Sequence, residues 1–172
     1  NQNLNLSKGQ VIGEIQLFAN IDLNQTEPNL NIKLVSNKLT SVLQDQAPIL
    51  IEVLSADIIG SINAYEVTSS FQLSNNEFEK SAIELNGLGN LESINLKQLT
   101  IKNSQGFINI PSQLNWKTDF TAESRIELTQ FNPATYLPEW PGLINGKANL
   151  SFLLSDQGYL LSIEKNQYSR SI

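Results

Sequence analysis

Between Gly106 and Gln130 the chain separates its residues by parity. The even positions are Gly106, Ile108, Ile110, Ser112, Leu114, Trp116, Thr118, Phe120, Ala122, Ser124, Ile126, Leu128 and Gln130, none of them charged. Lys117, Asp119, Glu123, Arg125 and Glu127 all fall on odd positions. A period of two is the signature of strands with one apolar and one solvated face. A turn at Lys117-Thr118-Asp119 pairs Trp116 with Phe120, Leu114 with Ala122, Ser112 with Ser124, Ile110 with Ile126 and Ile108 with Leu128. Slipping that register by one residue would set Ile110 against Arg125 or Glu127, so the alternation selects the loop length.

The same pattern extends in both directions. Val11, Gly13, Ile15, Leu17, Ala19, Ile21 and Leu23 alternate with Glu14, Gln16, Asn20 and Asp22, with Ile12 and Phe18 as apolar exceptions, and predict one strand of roughly 40 Å. After a turn at Thr26-Glu27-Pro28-Asn29, alternation resumes at Leu30, Ile32 and Leu34. Leu39, Val42 and Leu43 have helical spacing, so Ser36 to Gln46 is expected to be a short helix or a loop. The continuous apolar run Ile49 to Leu54 predicts a strand buried on both faces. Alternation returns from Ile58 through Tyr65, Val67, Phe71 and Leu73, and Asn75-Asn76 marks a turn. Ile83, Leu85 and Leu91 share a parity, with Gly87 and Gly89 where the backbone can bulge. Ile94 and Leu96 are even but Leu99 and Ile101 odd, which predicts a bulge near Lys97-Gln98. A two-residue turn at Ser104-Gln105 then pairs Ile101 with Ile108 and Leu99 with Ile110.

Pro133, Pro138 and Pro141 interrupt the alternation because proline cannot donate to a ladder. That segment must cross over or cap, with a single helical turn opened by Asn132 as cap and Pro133 at its first position. Ile144, Gly146, Ala148, Leu150, Phe152 and Leu154 then alternate with Asn145, Lys147, Asn149 and Ser151. A turn around Asp156 to Gly158 pairs Leu154 with Tyr159, Phe152 with Leu161 and Leu150 with Ile163. Past Lys165 the chain turns polar and is expected to fray. The whole reads as an antiparallel meander.

Composition narrows the chemistry. With 172 residues, 40% hydrophobic and 16% charged, the chain suits a single folded β-rich domain. A net charge of -6 argues against nucleic acid as a partner, since phosphate binding rests on clustered cations. There is no Cys, His or Met, which removes disulfides, thiolate nucleophiles, the usual general base and the commonest metal ligand. Glu14, Asp22, Glu123 and Glu127 fall on solvated faces, Gly87-Leu88-Gly89-Asn90 reads as a turn or bulge, and no nucleotide or hydrolase motif occurs. The reading is non-enzymatic, with no catalytic residue, metal or cofactor. Asn1 opens the chain in polar, strand-like sequence, which suggests a piece of a longer protein. Trp116 is expected to close the strand end against Phe120, and Trp140 to plug under the crossover.

An uncharged face on many strands with almost no helix to cover it must be buried by something, because exposed apolar surface costs about 25 cal/mol for every Å². Two sheets burying each other, a β-sandwich, is one solution. A single sheet curled into an open trough around an apolar guest is the other, and alternation is common to both.

The residues Gly106 to Trp116, then Phe131-Asn132-Pro133-Ala134 and Leu137-Pro138-Glu139-Trp140-Pro141-Gly142-Leu143-Ile144-Asn145-Gly146, resemble the translocation and assembly module (TamB) family. Leu85 to Leu91 with Leu96, Leu99 and Ile101 is similar to a repeat unit of that family. The likeness is good over Leu85 to Leu154 and stylistic before it. The family tends to carry Gly a few residues after the first Trp, where this chain has Asp119. The resemblance implies a long antiparallel meander curled into an open β-taco with an apolar interior, in the periplasm of a Gram-negative bacterium as part of an inner-membrane-anchored protein. Its implied partners are the outer-membrane barrel TamA, phospholipid acyl chains and outer-membrane protein clients, the clients paired along a sheet edge in the alternative reading. Ile15, Leu17, Ile21, Ile108, Ile110, Leu114, Phe120, Ile126, Leu128, Ile144, Leu150, Phe152 and Leu154 are the expected groove lining. Trp116, Pro138, Glu139, Trp140, Pro141 and Gly142 are the structural motif.

Overall fold

A computed structural model describes residues 4–6, 9–22, 27–43, 47–76, 79–135 and 142–171. Among the described residues thirteen strands form one antiparallel sheet: β1 (Leu4–Leu6), β2 (Gly9–Gly13), β3 (Gln16–Asp22), β4 (Asn29–Leu43), β5 (Ile49–Ser61), β6 (Ala64–Ser74), β7 (Ser81–Gly89), β8 (Ser93–Asn103), β9 (Gly106–Asn109), β10 (Ser112–Asn115), β11 (Phe120–Phe131), β12 (Leu143–Ser155) and β13 (Gly158–Ser171). The strands follow one another across the sheet as in a meander, except that β2 and β3 both pair with β4, and β9 and β10 share the lane between β8 and β11. Eleven lanes at about 4.8 Å give a sheet roughly 48 Å across. β1 and β13 do not pair with each other, so the sheet is open and not a closed barrel.

The hairpin read from parity forms as expected, with Ser112↔Ser124, Leu114↔Ala122 and Ile108↔Leu128. Likewise Ile101 pairs with Ile108, Ile110 N–H donates to the Leu99 carbonyl, and Leu154, Phe152 and Leu150 face Tyr159, Leu161 and Ile163. The bulge at Lys97 is present: Asn86 pairs with Gln98 and Gly87 with Leu96, leaving Lys97 as the extra residue. Pro111 falls opposite it, between the Leu99–Ile110 and Leu96–Ser112 positions, where its missing donor is tolerated. The 3-10 turn Pro133–Thr135 is capped by Asn132, whose Oδ1 accepts the Ala134 N–H at 3.0 Å.

Four expectations fail. The strand expected over Val11 to Leu23 breaks after Gly13, which has φ 149° and whose missing Cβ would lie 2.5 Å from the Lys38 carbonyl oxygen; Leu23 lies outside the described residues. Ser36 to Leu43 is strand, not helix, because a face change lies inside β4: Ser36 pairs with Leu54 and Leu39 with Ile51, and both Ser36 and Leu39 are buried. A step of three residues between inward positions imitates helical spacing. Ile49 to Leu54 is half-exposed on both sides, not doubly buried. The chain past Lys165 continues as strand to Ser171, paired with Leu143; backbone pairing with β12 holds it where side-chain pattern alone is silent.

The face change in β4 lies opposite a bulge in β5. Glu52 pairs with Gln72 but Ser55 with Ser70, and Val53 takes φ 52° with its side chain 66% exposed. A β-branched residue in the left-handed region is strained. We expect Val53→Gly to stabilise the fold by about 1 kcal/mol through relief of that strain, read as a higher urea midpoint. Leu96→Ala, at one of two buried hydrophobic side chains among the described residues, should lower it by about 2 kcal/mol, the low end for core truncations because only one side is packed.

Candidate functional site

Register partners lie on the same side of a sheet, so the ladders define rows that cross the strands. One row runs Ile21, Leu30, Gly60, Tyr65, Gly89, Ile94, Leu114, Ala122, Phe152, Leu161. The next runs Ala19, Ile32, Ile58, Val67, Gly87, Leu96, Ser112, Ser124, Leu150, Ile163. A third contains Leu17, Leu34, Ala56, Ser69, Leu85 and Leu99, and resumes at Ile126 and Ala148; a fourth contains Phe71, Ile83, Ile101, Ile108, Leu128 and Gly146. From β3 to β12 these rows contain no Asp, Glu, Lys or Arg.

Among the described residues no second layer covers this face. Leu39 at 5% and Leu96 at 6% are the buried hydrophobic residues among those described, and no large side chain is fully buried. The face is nonetheless more sheltered than its reverse: along β7, Ser81, Gly87 and Gly89 are buried and Ile83 and Leu85 half-buried, whereas Ala82, Glu84 and Leu88 are exposed. The sheet and its own neighbouring side chains supply that shelter, as in an open trough. Toward the two sides it fades, with Leu17 and Ile21 exposed on β3 and Tyr159, Leu161 and Ile163 exposed on β13. This arrangement is not a sandwich.

Twelve of the thirteen residues expected to line the groove fall on this face: Leu17, Ile21, Ile108, Ile110, Leu114, Phe120, Ile126, Leu128, Ile144, Leu150, Phe152 and Leu154. Ile15 sits in the break between β2 and β3, outside the ladder. Leu34, Leu39, Ile58, Val67, Ile83 and Leu96, in the middle of the sheet, lie on the same face. Their alternation is readable in the sequence except at Leu39, which the change of parity at Ser36 to Leu39 hid.

Three ion pairs lie on the reverse. Glu127 accepts from Arg125 Nε at 3.0 Å and Lys147 Nζ at 3.2 Å, and Glu52 pairs with Lys80 at 2.6 Å. The hydrogen bond from Lys147 holds the Glu127 carboxyl below the usual carboxylate range, helped by the Lys147 charge, Asn109 and Arg125 and opposed by desolvation. The Lys80 hydrogen bond does the same for Glu52. A shallow cleft of about 500 Å³ is lined by Asn95, Gln113, Glu123, Arg125, Asn149 and Glu164, with Pro111 and Leu150 among its apolar residues. Its Arg125 is already paired with Glu127. Among the described residues no group of acidic side chains is placed to hold a metal ion, and no helix is long and apolar enough to cross a membrane.

Aromatic residues tie down one end of the apolar face. Trp116 does not close a core against Phe120. It is 40% exposed, and its Nε1 donates to the Leu91 carbonyl at 2.7 Å while its backbone N–H donates to the Glu92 carbonyl at 2.8 Å. Tyr65 donates its hydroxyl to the Asn90 carbonyl at 3.2 Å, its ring lying where a Cβ on Gly89 would come within 2.5 Å. The turn between β7 and β8 is thus held from β6 and from the end of β10. Phe120 meets Phe152 instead, edge to face with centroids 6.1 Å apart. Gly142 has φ 116° at the start of β12; Pro138, Glu139, Trp140 and Pro141 lie outside the described residues.

Replacing Trp116 by Phe keeps the ring but leaves the Leu91 carbonyl without its donor, and should cost about 1 kcal/mol in chemical denaturation. Glu127 has a folded pKa below its unfolded value, so its contribution to stability is present above about pH 4.3 and is lost as pH falls through the folded value. Glu127→Gln should therefore lose less stability than the parent chain on acidification below that pH, measured by denaturation at a series of pH values.

Comparison with known proteins adds three findings. The family model described as TamB, N-terminal domain, matches residues 2–167. The translocation and assembly module subunit TamB of Haemophilus influenzae is 22% identical over 152 residues, covering 87% of this chain but 12% of that protein, so the chain spans about an eighth of its relative's length. No solved structure matches.

Proposed function

Because the chain belongs to the TamB family, we propose that its sheet is one segment of a non-enzymatic conduit for envelope biogenesis, whose uncharged face conducts phospholipid acyl chains between the inner and outer membrane. In this reading residues 1–172 are a single β-rich piece of a longer, inner-membrane-anchored periplasmic chain that works with the outer-membrane barrel TamA and supports outer-membrane protein assembly. The observation that carries it is the unbroken uncharged face from β3 to β12 with no protein layer over it among the described residues. Each buried CH₂ is worth about 0.8 kcal/mol wherever it lies along the rows, so a chain is held without a dedicated pocket. Uniform holding permits sliding.

A second reading uses the backbone edge of β13, a strand of 14 residues that among the described residues pairs with β12. An outer-membrane protein strand could add to it through backbone hydrogen bonds. The two readings make different demands on side chains. A photocrosslinking residue at Ile110 or Phe152 should capture phospholipid in cells, while one at Glu123 or Asn149 on the reverse should not; equal capture from both sides would exclude conduction. Leu160, 64% exposed on the reverse side of β13, discriminates the second reading: Leu160→Lys should leave lipid capture at Phe152 unchanged and should abolish client capture if strands add at that edge.

A further inference from the structure

The apolar character of this sheet does not stop at its face. At the rim formed by the β5–β6, β7–β8, β10–β11 and β12–β13 turns it continues onto the turns and round to the reverse. Leu91, at the tip of the β7–β8 turn, is 57% exposed beside Trp116, and Leu88 and Ile59, within two residues of the strand ends on the reverse, are exposed as well. Register places Glu66 between Leu88 and Ile59, where its carboxylate accepts from Asn86 Nδ2 at 3.3 Å. At the opposite rim the β8–β9 turn is Ser104-Gln105, with both side chains bonded to Glu79.

The polar atoms of the β7–β8 turn are closed on the protein. Its three carbonyls, of Asn90, Leu91 and Glu92, accept from the Tyr65 hydroxyl at 3.2 Å, Trp116 Nε1 at 2.7 Å and the Trp116 N–H at 2.8 Å. The Asn90 N–H donates to the Ser93 carbonyl at 2.9 Å, and Asn90 Oδ1 accepts from the N–H groups of Glu92 and Ser93 and from the Ser93 hydroxyl. Glu92 pairs with Lys117 at 2.9 Å, and the Lys117 N–H donates to Asn115 Oδ1 at 3.1 Å. An apolar tip therefore stands on a base whose carbonyls, indole and phenol are already used.

We propose that this Leu91–Trp116 tip is a membrane-docking element, which seats the rim in the interfacial region of a phospholipid bilayer. Docking by the rim is independent of what the apolar face carries. Two kinds of partner could cover exposed Leu and Trp. A protein interface carries about one hydrogen bond for every 100–200 Å², and Tyr and Trp ordinarily bring their polar atoms to it; here those atoms are withdrawn into the turn. A hydrocarbon surface offers no donor or acceptor and penalises any that enters unpaired. The tip meets that condition. Its charges suit a zwitterionic surface, since Glu92 and Lys117 neutralise one another and the turn sequences Asn90-Leu91-Glu92 and Trp116-Lys117-Thr118-Asp119 hold no run of cations to draw in anionic lipid. Interfacial elements enter to about 5–10 Å, a depth of one or two side chains. Asp119, exposed in the β10–β11 turn, limits the seat to that depth.

Trp116 and Trp140 are the two tryptophans of these 172 residues, so Trp140→Phe leaves Trp116 as an intrinsic probe. In the full chain carrying that change, phosphatidylcholine vesicles should shift Trp116 emission to the blue, and lipids brominated near the ester should quench it more than lipids brominated near the terminal methyl. Leu91→Ser should weaken partition onto the vesicles about ten-fold, whereas Phe107→Ser, which removes an exposed apolar side chain at the opposite rim, should leave it unchanged. Partition is also read by flotation in the parent chain, so the comparison of these two variants does not depend on Trp140→Phe. No quenching by either lipid, with the fold intact by circular dichroism, would overturn the inference and leave a protein partner as the occupant of the tip. Weakening by Leu91→Ser no greater than by Phe107→Ser, or stronger quenching from the terminal methyl, would also overturn it, the first as general adhesion and the second as lipid drawn onto the apolar face.

Discussion

Phase is the constraint on which this structure rests. From β3 to β12 the strands alternate between an uncharged and a charged side, and a slip of one residue would carry Lys, Arg, Asp or Glu onto the apolar face and apolar residues off it. A meander of this width needs that agreement at each boundary between lanes. Where a strand's own pattern changes parity, the backbone changes with it: at Ser36 to Leu39 opposite Val53, at Lys97, between Leu128 and Phe131, and between Lys147 and Ala148 on one side and Gln167 and Lys165 on the other. Each irregularity resets a register that a regular ladder would have carried through. Bulges also increase local twist, which helps an isolated sheet to curl.

A sheet that keeps one face free of charge but has no partner layer gains little from burial. Its cohesion comes from long ladders and from a few tethers at the turns. Trp116 and Tyr65 show how this is done: each sets a ring at the sheet end and gives its polar atom to a backbone carbonyl of the neighbouring turn. Ser112 and Ser124, opposite each other on the apolar face, satisfy one another at 2.9 Å. The face therefore carries polar atoms without presenting unpaired charge.

Such a surface has no single point of recognition. A pocket concentrates contacts in one place and holds its ligand there, whereas rows of Ile, Leu, Val, Ala, Gly and Ser repeat the same environment from lane to lane. The ion pairs on the reverse keep that side in water. The chain belongs to the TamB family, and the open, uncharged face is the physical property that any proposed role has to use.

The strands, the charge-free face and most of the pairings were legible in the amino-acid order, because register in a β-hairpin is governed by which residues can share a side. Ser112 with Ser124, Ile101 with Ile108 and Phe152 with Leu161 are chosen by parity and turn length, not by distant contacts. The parity change at Lys97 was equally readable, since an even run gives way to an odd one within a single strand. Three features needed the folded chain. β4 runs as strand through Ser36 to Leu43 because its neighbours on both sides supply ladder partners, and local spacing that imitates a helix cannot outweigh them. β13 continues to Ser171 for the same reason, with β12 as its template. The choice between a sandwich and an open trough was also tertiary. Alternation specifies that one side of each strand avoids charge, but not what lies over that side; this depends on whether the sheet folds back upon itself, and here its two edges remain unpaired with each other.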